Sequence, residues 1–121
     1  MNREILFKAK RKDDGEWVGG YYAYCRKRHY ILPVLNKAIG FDEREYEWVE
    51  VDPDTICQYT GLTDKNGKKI WENDLLGHKL NRVEFLNGTY CINGDRSLFF
   101  EANTNEVIGN IFDNQEMLEV E

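Results

Sequence analysis

The chain has 121 residues, of which 41% are hydrophobic and 13% aromatic, and its net charge is −6. The length suits one domain, with or without a small appendage, and the apolar content excludes a wholly disordered chain. No stretch approaches the roughly 18 uncharged apolar residues of a membrane-spanning helix, and the first apolar run, residues 5–7, is too short for a signal peptide. The sequence therefore predicts a soluble protein of the cytoplasm.

The charge is unevenly distributed along the chain. Residues 1–40 contain nine Lys and Arg against four Asp and Glu, whereas residues 41–121 contain seven against 18. Such a division is typical of a surface that faces nucleic acid, or of two oppositely charged surfaces that attract each other. Ordinary solvated charge is the third interpretation.

A β-hairpin is predicted near the N-terminus. Residues 3–10 alternate between apolar and charged side chains, which is the period of a half-buried strand. Asp13-Asp14-Gly15 is a turn sequence, and residues 16–25 return as a second strand with a bulge expected at Gly19-Gly20.

A basic turn and an irregular region follow the hairpin. Residues 30–35 are apolar, but Pro33 limits them to an edge strand. Residues 36–44 have the pattern of a loop. The consecutive cations that we expect at the turn, and that form a candidate interaction patch, are Arg26, Lys27 and Arg28.

From residue 74 onward, short apolar segments recur at regular spacing between turns rich in Asn and Gly. Asn87-Gly88 and Asn93-Gly94 indicate hairpins, because Asn and Gly tolerate the positive φ of type I′ turns. Short strands so close together favour a small closed barrel over residues 58–112. The predicted strands are residues 74–76, 83–86, 89–92, 97–101 and 106–111, and a helical turn is expected at 116–118.

The fold class predicted from these patterns is mainly β, with an α+β arrangement as the alternative. We expect an N-terminal β-hairpin region over residues 1–57. A small barrel with the helical turn is expected over residues 58–121, and the two parts are expected to form one compact unit.

Two stretches of the sequence resemble a known family. Residues 58–75 read QYTGLTDKNGKKIWENDL, and this hallmark segment is similar to that of the YopX family of phage and prophage proteins. Residues 107–118, VIGNIFDNQEML, resemble the C-terminal signature of that family, and residues 3–9 resemble its start. The motif residues are Gln58, Tyr59, Thr60, Gly61, Leu62, Asp64, Asn66, Gly67, Ile70, Trp71, Glu72, Asp74, Gly109 and Asn110.

The resemblance implies a mostly β protein with an SH3-like C-terminal barrel, of phage or prophage origin and without an established activity. Trp71 stands where the family usually has Tyr, and Asn73 often corresponds to Gly. We expect the motif to be structural, with its large apolar side chains packed and with Gly61 and Gly67 in backbone conformations that β-branched residues resist.

The remaining polar residues do not form a recognisable catalytic or metal site. A pair of carboxylates can act as acid and base or bind a divalent cation, but Asp side chains in turn sequences more often cap backbone N–H groups. The three cysteines have no disulfide or zinc spacing, and no nucleophile motif surrounds Cys57 or relates it to His78. We predict no catalytic residue, no metal and no cofactor. The carboxylates concerned are Asp52, Asp54, Asp64, Glu72 and Asp74, and the cysteines, expected to be reduced and buried, are Cys25, Cys57 and Cys91.

Two functions stay open at this point. The first is a non-enzymatic module that binds a host or phage protein or assembles with itself, as a homo-oligomer in which the basic patch meets acidic residues 43–50 of a neighbour. The alternative is a nucleic-acid-binding accessory protein that uses the basic N-terminal region. In that case the basic segment 26–29, together with Lys8, Lys10, Arg11 and Lys12, would contact phosphates, and neighbouring tyrosines would stack on bases. These tyrosines are Tyr21, Tyr22, Tyr24 and Tyr30.

Overall fold

The chain is mainly β, as its sequence predicts. The computed structural model describes residues 5–33, 48–77, 81–94 and 96–114. The strands form two antiparallel sheets, and the chain divides into two compact units, Met1–Gln58 (unit 1) and Tyr59–Glu121 (unit 2). The loop and the helical turn expected at 36–44 and 116–118 lie outside the described residues. No helix in the described ranges has the length and apolar character needed to cross a membrane.

Unit 1 is built around an antiparallel sheet in the order β4-β3-β2-β1-β5. A 3-10 helix over Pro53–Thr55 leads into β5, and the Asp52 carboxylate caps it by accepting the N–H of Asp54 at 3.0 Å. Only the first two residues of β5 belong to unit 1, where they pair with β1. The strands are β1 (Phe7–Lys10), β2 (Trp17–Cys25), β3 (Arg28–Pro33), β4 (Val49–Glu50) and β5 (Cys57–Thr63).

One face of this sheet carries the core of unit 1. Side chains of a strand alternate between the two faces, so that Val18 faces the core while Trp17 does not. Partly buried apolar side chains extend the core along the same face, Phe7 and Tyr22 among them. The buried core residues are Ala9, Val18, Ile31 and Val51.

The bulge expected at Gly19-Gly20 is absent, and that prediction was wrong. Register runs without interruption from Phe7↔Gly20 to Lys10↔Trp17. Gly20 lies on the core face between Phe7 of β1 and Pro33 of β3, its two cross-strand partners. Because glycine has no side chain, the rings of Phe7 and Pro33 can both lie beside it. A glycine at this position is therefore understandable without a bulge.

The expectation of an edge strand at residues 30–35 was wrong for Tyr30 and Ile31, which pair with β4 as well as with β2. Residues 34–35 lie outside the described residues. Pro33 is compatible with the sheet because it pairs with β2 but has no partner in β4, so its missing N–H removes no hydrogen bond to that strand.

The turn between β2 and β3 has unusual chemistry. Cys25 pairs with Arg28, which leaves Arg26 and Lys27 as the two central residues. Their φ values are 51° and 66°, the positive values of a type I′ turn. Such turns favour Asn and Gly, because most other residues are strained by about 1 kcal/mol in this conformation.

Unit 2 contains the remainder of β5, six further strands and one helical turn. Tyr59 and Thr63 of β5 pair with β6, and the other strands form an antiparallel sheet in the order β10-β9-β8-β7-β11. Pairing between β10 and β11 is not found in the described ranges, so closure into a barrel stays a prediction. The elements are β6 (Lys69–Trp71), β7 (Asp74–Leu76), β8 (Asn81–Leu86), β9 (Thr89–Ile92), β10 (Arg96–Ser97), α1 (Leu98–Glu101), a 3-10 helix (Ala102–Thr104) and β11 (Val107–Asn110).

The predicted strand at 97–101 is instead the end of β10 followed by α1, and this is a correction. Leu98 and Ala102, four residues apart, are both buried in the core of unit 2, while Phe99 is 69% exposed. Burial at a spacing of four is the helical period. The core of unit 2 is formed by Ile70, Leu76, Val83, Ile92, Leu98, Ala102 and Val107.

The hairpin turns of unit 2 agree with the sequence pattern. Asn87 and Gly88 connect β8 to β9 with φ values of 53° and 81°. Asn93 and Gly94 have φ values of 56° and 71° between β9 and β10. These turns have the same positive-φ pattern as the basic turn, with the residue types that this pattern favours.

The two kinds of turn provide a stability test. Replacing Arg26→Asn together with Lys27→Gly should raise the free energy of unfolding by about 1–2 kcal/mol, because Asn and Gly adopt positive φ with less strain. Urea denaturation measures the change. Asn87→Arg with Gly88→Lys is the reciprocal control and should lower stability by a similar amount. A basic-turn variant no more stable than the wild type would contradict this account of the turn.

Candidate functional site

The hallmark segment forms β5, a turn, β6 and the start of β7. Tyr59 and Trp71 are cross-strand partners with ring centroids 5.5 Å apart, and both are buried. Ile70 is completely buried, and Leu62 is half-buried against the core. The expectation that these apolar motif residues are packed is confirmed.

Asp64 links the hallmark segment to β11. One carboxylate oxygen, Oδ1, accepts the N–H groups of Asn66 at 2.8 Å and Lys68 at 2.9 Å, which fixes the turn before β6. The other oxygen, Oδ2, accepts the N–H of Val107 at 2.9 Å, 43 residues away in the chain. The side chain is only 4% exposed, so three backbone donors hold a nearly buried charge.

The environment of Asp64 lowers its pKa. Desolvation by burial raises the pKa, but the backbone hydrogen bonds to the carboxylate act in the opposite direction and together outweigh it. The pKa of Asp64 therefore lies below its ordinary value, and the group is ionised at neutral pH.

The turn between β6 and β7 uses a second buried carboxylate. Asp74 accepts the N–H of Trp71 through Oδ2 at 2.8 Å. Asn73, which replaces the glycine frequent in the family, has a φ of 70°. Thr60 stabilises the same region from β5, since its hydroxyl donates to the carbonyl of Ile70 at 2.8 Å.

The other motif residues of this segment also occupy structural positions. Gly61 and Gly67 have φ values of 86° and 81°, as expected. Gln58 pairs with Phe7 of β1, Asn66 lies in the turn capped by Asp64, and Glu72 is a half-buried residue of the β6–β7 turn.

The C-terminal signature forms a compact turn after β11. The Asn110 side-chain oxygen accepts the N–H groups of Phe112 and Asp113, both at 2.9 Å. The Asn114 side-chain oxygen accepts the N–H of Asn110 at 3.0 Å. A Cβ at Gly109 would overlap that oxygen, so a larger residue at this position would displace the Asn114 side chain from its hydrogen bond to Asn110.

The family match covers nearly the whole chain. Residues 6–119 match the family model described as YopX protein. The chain belongs to the YopX family. A search of the curated proteins returns no match. The two stretches that carry the resemblance are thus the parts of this YopX-family protein that cap turns and fill the core of unit 2.

Three of the five carboxylates considered as candidate catalytic or metal-binding groups in the YopX-family protein bind its own backbone. Asp52, Asp64 and Asp74 each accept a backbone N–H, which agrees with the turn-capping interpretation. Within the described ranges, no group of three or more His, Cys, Asp or Glu side chains has an arrangement able to hold a metal ion.

The described cysteines of the YopX-family protein are free thiols. Cys57 and Cys91 are buried as expected, whereas Cys25 is exposed, so the expectation of burial was wrong for Cys25. Cys25 is the last residue of β2, next to the turn, where the sheet ends and no core covers it. His78, the residue considered with Cys57, lies outside the described residues.

The basic patch lies at one end of the unit 1 sheet. Arg26 and Lys27 are exposed at the turn, and Arg28 begins β3. The Arg28 guanidinium is 3.8 Å from the Glu50 carboxylate, and Lys12 is 3.3 Å from the same group. Glu50, which belongs to the acidic stretch 43–50, therefore pairs within its own chain; residues 43–47 lie outside the described residues.

Opposite the core, the unit 1 sheet has a second face that combines rings and cations. Directly paired residues of antiparallel strands share a face, so Lys10 lies beside Trp17 and Ala23 beside Tyr30. The ammonium groups of Lys8 and Lys10 lie 4.7 and 5.4 Å from the centroid of the Trp17 ring. We call this surface the basic–aromatic face; its rings and cations are Lys8, Lys10, Trp17, Tyr21, Arg28 and Tyr30.

The sequence interpretation named most of these residues but did not separate the two faces. Tyr22 and Tyr24 lie on the core side, where both rings contact His29, and are not part of the basic–aromatic face. Trp17 was not considered. The spacing along β2 could have placed Trp17 on this face. Trp17 and Tyr21 are four residues apart, and side chains an even number of positions apart share a face in a regular strand.

Truncation of the buried indole tests the structural role of the motif. Trp71→Ala should lower the free energy of unfolding by about 3–5 kcal/mol, because it removes a buried ring and leaves a cavity. Chemical denaturation measures the loss. Trp48→Ala, at an exposed tryptophan, is the matched control and should change stability by less than about 1 kcal/mol. Equal effects of the two substitutions would contradict a core role for Trp71.

Amide substitution of Asp64 tests the carboxylate bridge. In Asp64→Asn, an NH₂ group replaces one acceptor oxygen and leaves at least one backbone donor unpaired, so stability at neutral pH should fall by about 2–3 kcal/mol. Because the folded pKa is lowered, the ionised group stabilises the protein above its unfolded pKa, and this contribution is lost as the pH falls through the folded pKa.

The difference in unfolding free energy between wild type and Asp64→Asn should therefore narrow as the pH is lowered from neutral to below about 4. Denaturation curves at a series of pH values measure it. Glu106→Gln, at a nearby exposed carboxylate, is the control and should leave the acid dependence unchanged. If the unfolding free energies of the wild type and of Asp64→Asn differed by the same amount at every pH, the role of the charge would be refuted.

Proposed function

We propose that this YopX-family protein is a non-enzymatic binding module of phage or prophage origin that associates with copies of itself in the bacterial cytoplasm. The phage setting rests on the family resemblance. The binding function rests on one observation in unit 2, an apolar hairpin that is exposed to solvent.

The β8–β9 hairpin has exposed apolar side chains near its turn. The pair Val83 and Ile92 is completely buried, and the next pair on the same face, Phe85 and Tyr90, lies nearer the turn. Tyr90 is partly buried against the core, whereas Phe85, whose ring meets the Tyr90 ring edge-on at 4.9 Å, is 50% exposed. Leu86, on the opposite face, is 44% exposed. Exposed apolar side chains on both faces of a hairpin are typical of a protein contact site.

The charges near this hairpin favour a second copy of the chain as the partner. Arg82 pairs with Glu84 at 3.6 Å, and Arg96 pairs with Glu101 at 3.4 Å. Paired charges of opposite sign give no net attraction to a strongly acidic or basic protein. An apolar patch with a neutral surround can meet the same patch of another copy across a two-fold axis.

The electrostatic contribution of the basic patch is secondary in this proposal. Glu50 already pairs with Arg28 and Lys12 of its own chain, which removes one acidic group from a contact between copies. Exposed ion pairs contribute roughly 0–1 kcal/mol each and are weakened by salt. We therefore assign most of the affinity to the apolar hairpin.

The buried groups support a binding role without chemistry. The carboxylates of Asp64 and Asp74 are engaged by backbone N–H groups that a substrate would have to displace. The free thiols of Cys57 and Cys91 suit the reducing cytoplasm.

Light scattering after size exclusion tests self-association. The wild type should have a mass above that of one chain that falls on dilution, and Phe85→Ser with Leu86→Ser should elute as a monomer. Tyr24→Ser removes an equally exposed ring from unit 1 and is the control; it should leave the mass unchanged. The circular dichroism of all variants should match that of the wild type, which separates lost association from unfolding. A wild type that is monomeric at every protein concentration would contradict the proposal.

A further inference from the structure

The basic–aromatic face of unit 1 alternates large and small side chains along β2. Trp17, Gly19, Tyr21 and Ala23 occupy successive positions on this face, so that each ring is followed by a residue with little or no side chain. Tyr21 is 52% exposed, and Tyr30, opposite Ala23, is half-buried. The Tyr21 ring is therefore exposed on this face, whereas the rings of Trp17 and Tyr30 are half-buried.

Cations surround these rings on two sides. Lys8 and Lys10 lie on β1, and Arg28 lies on β3 with its side chain 64% exposed. Among the described residues paired into this face, the single acidic group is Glu50, opposite Tyr30. Glu50 is paired with Arg28 and Lys12, which offsets its charge, and the described residues of the face include more basic than acidic groups although the chain carries a net charge of −6.

We propose that the basic–aromatic face binds single-stranded nucleic acid, with a base stacked on the exposed Tyr21 ring and phosphates held by the flanking cations. This inference goes beyond the self-association proposed above and concerns a different surface. Aromatic platforms bordered by Lys and Arg are the general means by which proteins bind single strands, since every base has a face that can stack.

The arrangement favours a single strand over the two other anionic partners. In a duplex the bases are stacked on each other and are not available to Tyr21, so only the phosphates would contribute. An acidic peptide would use the cations but would leave the rings without a partner of matching shape. Only unpaired nucleotides supply planar groups and regularly spaced negative charges together.

The basic turn adds an independent observation. Arg26 and Lys27 occupy positive-φ positions where Asn and Gly occur in the β8–β9 and β9–β10 turns. The sequence thus keeps two cations at the end of the sheet in spite of the backbone strain that they introduce. Cys25 and Arg28 are cross-strand partners, and Arg26 and Lys27 lie between them in the turn. These two cations therefore add positive charge at the end of the face.

Fluorescence anisotropy with a labelled oligothymidylate tests the proposal on the full-length protein. Binding should be measurable at low salt and weaken about tenfold when the salt concentration is raised fourfold, as expected for contacts with two to three phosphates. Tyr21→Ala should weaken binding roughly five- to a hundredfold, the range for the loss of one stacked base. Tyr24→Ala is the matched control, because Tyr24 is 60% exposed on the same strand but on the other face, and it should have no effect.

The contribution of charge is tested separately. Arg28→Ala should weaken binding and reduce its salt dependence, and Lys65→Ala, at an exposed cation of unit 2, should change neither. Glu50→Gln should tighten binding, because it removes the acidic group from the face.

Four results would overturn the inference. They are no binding of the wild type at low salt, equal losses for Tyr21→Ala and Tyr24→Ala, equally tight binding of a duplex of the same length, and displacement of the oligonucleotide by polyglutamate at a similar concentration of charge. The third result would indicate phosphate contacts alone, and the fourth would indicate an acidic protein as the partner.

Discussion

Unit 2 depends on the hydrogen bonds that the Asp64 carboxylate accepts. It is the acceptor for three backbone N–H groups, two in the turn before β6 and one at the start of β11. A turn and a strand that are 43 residues apart in the chain are therefore fixed by one side chain. β11 pairs with β7, which begins within the hallmark segment, so the position of Asp64 also determines where the sheet receives its last strand.

This bridge gives the family motif a physical meaning. The motif residues near Asp64 either cap a backbone group, as Asp74 and Asn110 do, or fill the core, as Ile70 and Trp71 do. The motif thus specifies a scaffold, and the candidate binding surfaces, the β8–β9 hairpin and the basic–aromatic face, consist largely of residues outside it.

The sequence predicted local features better than the positions of faces and edges. Asn87-Gly88 predicted its turn correctly, and the alternation of residues 3–10 predicted β1, which the structure shows over residues 7–10, because both signals act over a few residues. Gly20 and Pro33 were misinterpreted for the same reason. Their roles depend on cross-strand neighbours, and these become known only when the strands are paired. The helical turn at Leu98 was missed because a short apolar segment is compatible with either period until its core partners are fixed.

The candidate site shows the same limitation. The sequence identified the lysines and tyrosines of the N-terminal region as one candidate group. It did not indicate which face of the sheet each of them occupies. A register shift of one residue would exchange every member of the set. The pairs Lys10 with Trp17 and Ala23 with Tyr30 settle the division.

The tight turn at Arg26 and Lys27 has a consequence for proteolysis. A run of basic residues at an exposed site is the preferred substrate of trypsin-like proteases, which bind their substrates as extended segments. A two-residue turn between paired strands cannot adopt that extended form while Cys25 and Arg28 remain paired. Cleavage requires the end of the hairpin to open first, so this chemically vulnerable site is protected by its own geometry, and its rate of cleavage reports how often the strands separate.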